Sequence, residues 1–537
     1  MKVALLSTND YGGAARAAVR LCDALHKQDV VSDIFVKYKK SNLDYIKQIR
    51  GPQIHNLLIE NIAQEYFYSN IYEGNTMLSM MYPSLNFDFQ ELVDNYDIIN
   101  LHWIASFVSL ESIVKLASQK PIVWTLHDQN PMTGACHYAH GCNKYLIDCN
   151  DCLQMKKNEL NLTKVLLEAK IKYMPRNLVV VTPSKWLAEC AKKSPVFKKN
   201  RIEVIPNSVE LDIFKPMNKN KAKKMFGFPE DMKIILFGAE NHKERRKGFV
   251  ELMEAMQRLK EMPIMQEFVR ENKIAVLAFG NESEEIKKLN IPYAALGYIE
   301  DDNKLAWAYS AADVVALPSL EDNLPNIILE AFACKTPVVG FDFGGMPDFI
   351  QNGKTGYVVP IGNTKLFAEK LAAVLLEDFL GDNCRKCAEL FFAQSKQAER
   401  YHELFSDLVK NNNVEDNRNF ELSMFPEVGS IFADLLCKSG ILCQKRINEL
   451  VEEKDLLYET LNRINEEKAG MQEWLDKLVI EKNYFQMETD IYKKRVDYLI
   501  KERNLLQGEL DAVLLSRSWY ITKPLRKCGS WLKAIMK

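Results

Sequence analysis

The feature of this sequence that most constrains its fold is a repeated alternation of short apolar runs with amphipathic stretches. Short apolar runs are typical of strands buried on both faces of a parallel sheet, and the stretches between them are typical of the helices that cover it. In the first 200 residues, strands are predicted at 3–6, 97–101, 122–126 and 179–182, with a helix at 14–26. This β-α-β order predicts an α/β fold.

The same alternation begins again after residue 207. It predicts strands at 233–237, 273–279, 314–317 and 336–339, separated by helices at 249–258, 304–310 and 327–334. A chain of 537 residues also exceeds the size at which a single core keeps growing. We therefore predict two Rossmann-like domains, residues 1–205 and 206–376, which face a cleft, with returning helices at 377–410. Doubly wound sheets bind ligands at the carboxyl ends of their strands, so a site is expected in that cleft.

Bulk composition excludes several classes of protein. A formal net charge of -2 argues against a nucleic-acid partner, and 47% hydrophobic with 26% charged residues is ordinary for a globular protein. The N-terminal residues read as a first strand rather than as a signal peptide, and no uninterrupted apolar run reaches about 18 residues. The twelve cysteines are then expected to be mostly reduced. These observations predict a cytoplasmic protein without a membrane-spanning helix.

Two segments of the second half have the residues that a phosphate and sugar site needs. Residues 318–331 follow a predicted strand, open a helix and place seven residues between Asp322 and Glu330. An acid on the loop can reach a sugar, an acid on the helix can accept hydrogen bonds from ribose hydroxyls, and the N-H groups at the helix start suit a diphosphate. Residues 237–249 form a basic loop that contains Arg246 and Lys247. The alternative interpretation is an N-cap, a solvated helix acid and a solvated basic turn.

Together with residues 9–16, which carry Gly12 and Gly13 after the first strand, these segments resemble the family-4 retaining glycosyltransferases of the GT-B fold. The resemblance covers about residues 1–405 and implies transfer of a hexose from a nucleotide-diphosphate sugar, with retention of configuration and without a catalytic metal or other cofactor. It implies Asp322 and Glu330 as the acid pair. The first acid of the family is usually glutamate, and Glu321 is a second candidate for that role.

The resemblance also implies roles for further residues. Lys247 would be the main phosphate ligand. Many family members also carry an arginine where this chain has Ala239, and Arg246 or Arg245 would compensate for that missing arginine. His127 would contact the transferred sugar or the leaving group rather than act as a general base. It implies further donor contacts at Gly12, Gly13, Glu321, Asn323, Leu324, Gly344 and Gly345.

Four cysteines form a compact cluster shortly after His127. They are Cys136, Cys142, Cys149 and Cys152. Closely spaced thiols in a reducing compartment favour a tetrahedral structural zinc ion, and four thiolates would leave no open position for catalysis. Free thiols or a redox-labile loop are the alternative.

The C-terminal part changes character. Residues 411–445 are predicted to be a linker and 446–515 a coiled coil, because every d position of ten successive heptads from Leu450 to Val513 is apolar. A homo-oligomer is the favoured interpretation, and a single helix folded back on the catalytic domains is the alternative. The tail, 516–537, combines aromatic and basic residues and suits either an anionic membrane surface or packing on the coiled-coil end.

These features predict an enzyme of surface polysaccharide biosynthesis that acts on a saccharide or lipid-linked acceptor at the inner face of the cell membrane. A catalytically weakened scaffold of a polysaccharide-assembly complex is the competing hypothesis.

Overall fold

The computed structural model describes residues 1–49, 64–81, 87–158, 160–239, 244–280, 284–377, 380–411, 414 and 472–515. They fall into two compact units. The first holds residues of the ranges 1–52 and 70–420, and the second holds residues of the ranges 53–69 and 421–537. The predicted linker and tail, and the first part of the predicted coiled coil, lie outside the described residues apart from 411 and 414.

The first half of the larger unit contains a seven-stranded parallel sheet with the spatial order β3-β2-β1-β4-β5-β6-β7. The four predicted strands are present as β1, β4, β5 and β6, and the last three of these have every residue buried. The strands are β1 Lys2–Asn9, β2 Val31–Tyr38, β3 Ile46–Gln48, β4 Ile98–Leu101, β5 Ile122–Thr125, β6 Val179–Thr182 and β7 Ile202–Val204.

A second parallel sheet, with the order β10-β9-β8-β11-β12-β13, occupies the second half of this unit. The four predicted strands correspond to β8, β9, β11 and β12. The strands are β8 Lys233–Ala239, β9 Ile274–Gly280, β10 Tyr293–Ala295, β11 Val314–Leu317, β12 Val338–Phe341 and β13 Gly356–Val359. The predicted fold of two Rossmann-like sheets is confirmed.

Helices cover both sheets. Those around the first sheet are α1 Gly13–His26, α2 Gln90–Asn95, α3 Leu110–Ala117, α4 Leu162–Tyr173 and α5 Lys185–Lys193. Those of the second half are α6 Lys219–Met225, α7 Phe249–Glu261, α8 Gln266–Arg270, α9 Glu284–Lys287, α10 Asp302–Ala311, α11 Asn326–Ala333, α12 Met346–Phe349, α13 Thr364–Leu376, α14 Gly381–Cys387 and α15 Gln394–Lys410. The α1, α7, α10 and α11 helices correspond to predicted helices.

The last helix of this unit joins the two halves. Although α15 follows the second sheet in sequence, its Tyr401 and Phe405 are fully buried in the core of the first sheet with Leu5 of β1. The two crossings between the halves lie side by side, since the N-H of Val209 donates to the carbonyl of Phe392 at 2.8 Å. The relative placement of the sheets is thus fixed by packing and not by one flexible linker.

The second unit contains the long helix α16, Gln472–Leu515, of 44 residues. It covers part of the predicted coiled coil; its pairing with another helix stays a prediction. Among the helices that the structure describes, none is long and apolar enough to cross a membrane.

Candidate active site

The loop between β11 and α11 holds two adjacent buried acids, Glu321 and Asp322, which are 4% and 6% exposed. The Asp322 carboxylate accepts hydrogen bonds from Lys247 Nζ at 2.8 Å and Arg246 Nη1 at 3.3 Å, and the Tyr138 hydroxyl donates to it at 3.3 Å. Burial alone would raise the pKa of Asp322, but the two cations hold it below its ordinary value. Asp322 is therefore an ionised carboxylate held against two cations.

Glu321 has a different environment. Its carboxylate accepts from the backbone N-H of His140 at 2.8 Å. Burial raises the pKa of Glu321 to about 7, and the hydrogen bonds from the 139 and 140 backbone only partly oppose this. The pKa values of these two neighbouring acids are thus shifted in opposite directions, and Asp322, which has the predicted seven-residue spacing to Glu330, is the acid paired with cations.

The basic loop after β8 is fastened to the acid loop through its backbone. The N-H of Leu320 donates to the carbonyl of Arg246 at 2.7 Å. Gly248 has φ +67°, and a Cβ there would lie 1.8 Å from the carbonyl oxygen of Pro318, so only glycine permits this approach. This contact holds Lys247 opposite Asp322.

The two arginines of the basic loop point in different directions. Arg246 lies over the ring of Tyr138 at 4.2 Å and approaches Asp322, whereas Arg245 pairs with Glu251 on α7 and is half exposed. Of the two residues considered as compensation for Ala239, the structure places Arg246 at the acid loop.

The second acid of the predicted pair, Glu330 on α11, is buried, which contradicts the alternative of a solvated helix residue. Its carboxylate accepts from Arg20 Nη2 and from the hydroxyl of Tyr309, each at 2.9 Å, and Arg16 Nε lies 3.6 Å away. Arg20 also forms an ion pair with Glu210 at 2.8 Å. The acids at 322 and 330 therefore bind separate cations: one set from the basic loop, the other from α1.

The glycine pairs that sequence analysis selected meet the loops around these acids. Gly12 has φ +87° before α1, and the carbonyl of Gly13 accepts from Asn326 Nδ2 at 3.1 Å, at the start of α11. At Gly344, φ is +62° and an added Cβ would lie 1.7 Å from the carbonyl oxygen of Asp322. The N-H of Gly345 donates to the Asn323 carbonyl at 2.6 Å.

The residues after Asp322 connect the acid loop to the first half of the unit. Asn323 Oδ1 accepts from the Ser184 hydroxyl at 2.6 Å, and Asn323 Nδ2 donates to the carbonyl of His127 at 3.1 Å. The side chain of Leu324 packs in the core of the second sheet, so only its backbone is available to a ligand.

His127 follows β5 and is adjacent to His102, which follows β4. The His102 Nδ1 and His127 Nε2 atoms are 3.0 Å apart and the rings are stacked. Burial lowers the pKa of His127 to about 4, against a weaker opposing effect of Asp128. The His127 ring is thus neutral near pH 7, so it can form a hydrogen bond with a ligand but is a weak general base.

A hydrogen-bonded Ser79–His137–Asp128 series lies beside this pair. His137 contacts the Asp128 carboxylate at 2.6 Å and the Ser79 hydroxyl at 2.8 Å. The order resembles that of a serine nucleophile triad, but Ser79 is fully buried and no substrate can reach it. The series instead anchors the loop that carries Tyr138 and His140 to the acids.

The cysteine cluster lies in that same loop. All four cysteines are free thiols, and the N-H of Lys144 donates to Cys142 Sγ at 3.4 Å. Within the described ranges, no three histidine, cysteine, aspartate or glutamate side chains are arranged as a metal site. The zinc ion stays a prediction. The cysteine cluster lies in the loop that carries Tyr138.

Sequence reasoning missed Arg20, Tyr138 and Tyr309 as site residues. Arg20 had a detectable signal, since it is a charged residue within the otherwise apolar face of α1. Tyr138 had none, because its hydroxyl reaches Asp322 only through tertiary packing.

Two family models match the chain. The model described as Glycosyltransferase Family 4 matches residues 11–213, and the model described as Glycosyl transferases group 1 matches residues 232–377. The first range contains most of the first sheet, and the second contains the whole second sheet with the acid and basic loops.

Curated relatives are similar over different lengths. The D-inositol 3-phosphate glycosyltransferase of Corynebacterium jeikeium is 24% identical over 438 residues, which are 76% of this chain and 97% of the relative. The phosphatidyl-myo-inositol mannosyltransferase of Mycobacterium leprae is 29% identical over 180 residues, 33% of this chain and 45% of the relative. In other relatives the chain spans about half of their length, from 40% to 54%.

Solved structures share the fold. Sucrose-phosphate synthase from Thermosynechococcus elongatus superposes with a TM-score of 0.54 at 19% identity, over 76% of this chain and 100% of that one. HepE from Anabaena, in complex with UDP and glucose, superposes with a TM-score of 0.51 at 15% identity, over the same shares of the two chains.

Proposed function

This chain belongs to the family-4 glycosyltransferases of the GT-B fold, and we propose that it transfers a hexose from a nucleoside diphosphate sugar to a saccharide or lipid-linked saccharide with retention of configuration. The observation that carries the proposal is the ion-pair cluster of Asp322, Lys247 and Arg246, between the acid loop and the basic loop. Two cations beside a buried carboxylate are the groups that a donor diphosphate and its sugar need, and this supports the proposal.

The cluster suggests how a donor is received. Lys247 is bound to Asp322 at 2.8 Å, and its side chain is one quarter exposed, so it can exchange the carboxylate for a phosphate oxygen. The exchange keeps the lysine paired and frees Asp322 to accept hydrogen bonds from sugar hydroxyls. As the bond between sugar and phosphate breaks, Lys247 and Arg246 stabilise the charge that develops on the leaving diphosphate. Because protein cations do this, we propose a metal-independent reaction.

Glu330 is proposed to bind the ribose. Its two oxygens each accept one protein hydrogen bond, from Arg20 and from Tyr309, and a carboxylate has about four acceptor positions. The two partners fix the orientation of the carboxylate and leave positions for two ribose hydroxyls.

The stereochemical part of the proposal rests on the family. Glu321 is held by a backbone N-H group, and Asp322 is proposed to bind sugar hydroxyls, so neither acid is assigned as a nucleophile. We propose attack by the acceptor hydroxyl on the same face as the leaving group, whose phosphate oxygen takes the proton of that hydroxyl.

The test is incubation with a panel of nucleoside diphosphate sugars, with released nucleoside diphosphate as the readout. UDP-sugars are the first choice because HepE was solved with UDP and glucose. Lys247→Met should lower kcat by about 10²-fold or more, as removal of one transition-state donor does elsewhere. Lys365→Met, an exposed lysine of α13, is the matched control and should be unchanged. Wild-type turnover in Lys247→Met would overturn the site assignment.

The scaffold hypothesis predicts a different outcome, supported by Ala239 in the place of a family arginine. A scaffold would turn over no donor of the panel. If it retained nucleotide binding, UDP would still raise its melting temperature, since a ligand of the native state stabilises it. A transferase shows both binding and turnover.

The remaining parts of the proposal concern assembly and location. We propose a homo-oligomer formed through the heptads of residues 446–515, peripheral contact of the tail with the inner face of the cell membrane, and a role in surface polysaccharide biosynthesis. Light scattering of the full chain tests the first, because a monomer would exclude it. Sedimentation with anionic and with neutral vesicles tests the second, since equal binding to both would contradict a basic tail as the anchor.

A further inference from the structure

A continuous series of hydrogen bonds runs from α15 through the first sheet to His127. The hydroxyls of Tyr401 and Thr125 are 2.8 Å apart, and the Thr125 hydroxyl donates to Asn100 Oδ1 at 3.0 Å. Asn100 Nδ2 lies 3.1 Å from His102 Nε2, and His102 Nδ1 lies 3.0 Å from His127 Nε2. The first four residues are buried, and only His127 is partly exposed.

The direction of the series is set by the orientation of the Asn100 amide, whose Oδ1 accepts from the Thr125 hydroxyl. Because Asn100 Oδ1 accepts from Thr125, its amide nitrogen is the atom that faces His102, and an amide nitrogen only donates. His102 Nε2 must then accept and carry no proton. Burial lowers the pKa of His102 well below its ordinary value, so the ring is neutral and its single proton is on Nδ1.

The same step repeats at His127. His102 Nδ1–H donates to His127 Nε2, which therefore carries no proton. A neutral His127 then has its proton on Nδ1. Among the described residues, the Nδ1 atom of His127 has no hydrogen-bond partner. The ring of His127 is partly exposed, and its backbone carbonyl accepts a hydrogen bond from Asn323 of the acid loop.

We propose that Asn100 and His102 are positioning residues that fix His127 as the Nδ1–H tautomer, so that its ring presents a neutral hydrogen-bond donor to an oxygen atom of the bound sugar. The identification of that oxygen with the donor sugar rests on the proposed function, whereas the tautomer does not. The opposite polarity, with the Asn100 amide turned, would give His127 an unprotonated Nδ1 and make it an acceptor.

The polarity matters because a hydroxyl of a sugar meets a different partner in the two cases. An Nδ1–H donor pairs with an oxygen lone pair, and it favours an oxygen that gains negative charge. An unprotonated Nδ1 would instead accept the hydroxyl proton. The series therefore decides between two kinds of contact without any change in the position of the ring.

The experiment is nitrogen NMR of the full chain labelled with ¹⁵N-histidine, in the solid state so that size is not limiting. Eight histidines give eight pairs of signals, and His127→Gln assigns the pair of interest. The proposal requires a protonated Nδ1 and an unprotonated Nε2 at His127. Protonation at Nε2 in the wild type overturns it.

The variant His102→Phe adds a second test. Phenylalanine keeps the stacked ring, whose centroid is 5.2 Å from that of His127, and removes the donor to Nε2. We expect a His127 signal in which Nε2–H is populated and a kcat lowered by about tenfold, the loss expected for one misoriented hydrogen bond. An unchanged single Nδ1–H tautomer would show that His102 does not set it. His402→Phe, on the exposed side of α15, is the control and should leave both readouts unchanged.

The two failures are distinguishable. If the Nδ1–H tautomer is found but no nucleoside diphosphate sugar is turned over, the proposed function fails and the positioning inference holds. If turnover is found with Nε2–H at His127, the reverse is true.

Discussion

The ion pair between Arg20 and Glu330 joins α1 of the first half to α11 of the second, and the substitution Arg20→Met tests how strongly it stabilises the unit. Arg20 is 1% exposed and contacts two carboxylates, Glu330 at 2.9 Å and Glu210 at 2.8 Å. Removing one partner of a buried pair costs about 3–5 kcal/mol, because the other charge stays buried without compensation. Since Arg16 lies 3.6 Å from Glu330 and compensates in part, we expect the lower end, about 3 kcal/mol.

The assay is thermal unfolding of the wild type and the variant without ligand. A loss of about 3 kcal/mol corresponds to a melting temperature lower by about 6–12 °C, at about 2–4 °C per kcal/mol for a domain of about 150–250 residues, the size of each half of the unit. The control is Arg201→Met, which breaks an exposed pair with Asp407; such pairs contribute about 0–1 kcal/mol.

A double-mutant cycle identifies the source of the effect. Glu330→Gln removes the charge that Arg20 compensates, so the double variant should be less destabilised than the sum of the single variants by about 1 kcal/mol or more. If Arg20→Met and Arg201→Met have the same melting temperature, or if the cycle is additive within about 0.5 kcal/mol, the buried ion pair is not what stabilises the contact between α1 and α11.

Three further predictions concern the loops around the acids. Because burial raises the pKa of Glu321 from 4.5 to about 7, the folded state retains a proton that the unfolded chain releases, and the free energy of unfolding should fall as the pH rises from 4.5 to 7. Urea titrations at several pH values should show that Glu321→Gln removes this part of the fall, whereas identical pH profiles for wild type and variant would contradict the pKa shift. Gly344→Ala should destabilise the protein by about 1–3 kcal/mol more than Gly362→Ala, because both residues have positive φ but only a Cβ at 344 would meet a backbone oxygen. Thermal unfolding measures the difference, and equal losses in the two variants would refute the steric argument. Metal analysis of the purified full chain should find one zinc ion per chain, and a variant with all four clustered cysteines changed to serine should lose it. A wild type without metal would show that these cysteines are free thiols.

The fold was predictable where a strand is buried on both faces. The β4, β5 and β6 strands are apolar runs whose every residue is buried, and such runs are visible in the sequence. Five strands were not predicted: β2, which lies inside the first sheet, and the edge strands β3, β7, β10 and β13. Of these, β3, β7 and β10 have three residues each and are only partly buried, so neither length nor pattern separates them from loops.

The site was predictable in part. Lys247 and Asp322 were selected from motifs, and the structure brings their charged groups to 2.8 Å. Their neighbour Tyr138 was not selected, because its hydroxyl reaches Asp322 across 184 residues of sequence. Local spacing has no information about such a contact.

What the sequence by itself determined is the two-sheet architecture, the glycines that permit close backbone approach, and the identity of the acid and basic loops. These depend on short-range patterns: apolar runs, positive-φ positions and the offset between two acids on one loop and helix. What only the tertiary structure decided is the charge state and orientation of the groups. Glu321 and Asp322 are adjacent in sequence, yet one is buried against backbone N-H groups and the other against two cations. Burial and distant charges set a pKa, and these exist only after the two halves have packed.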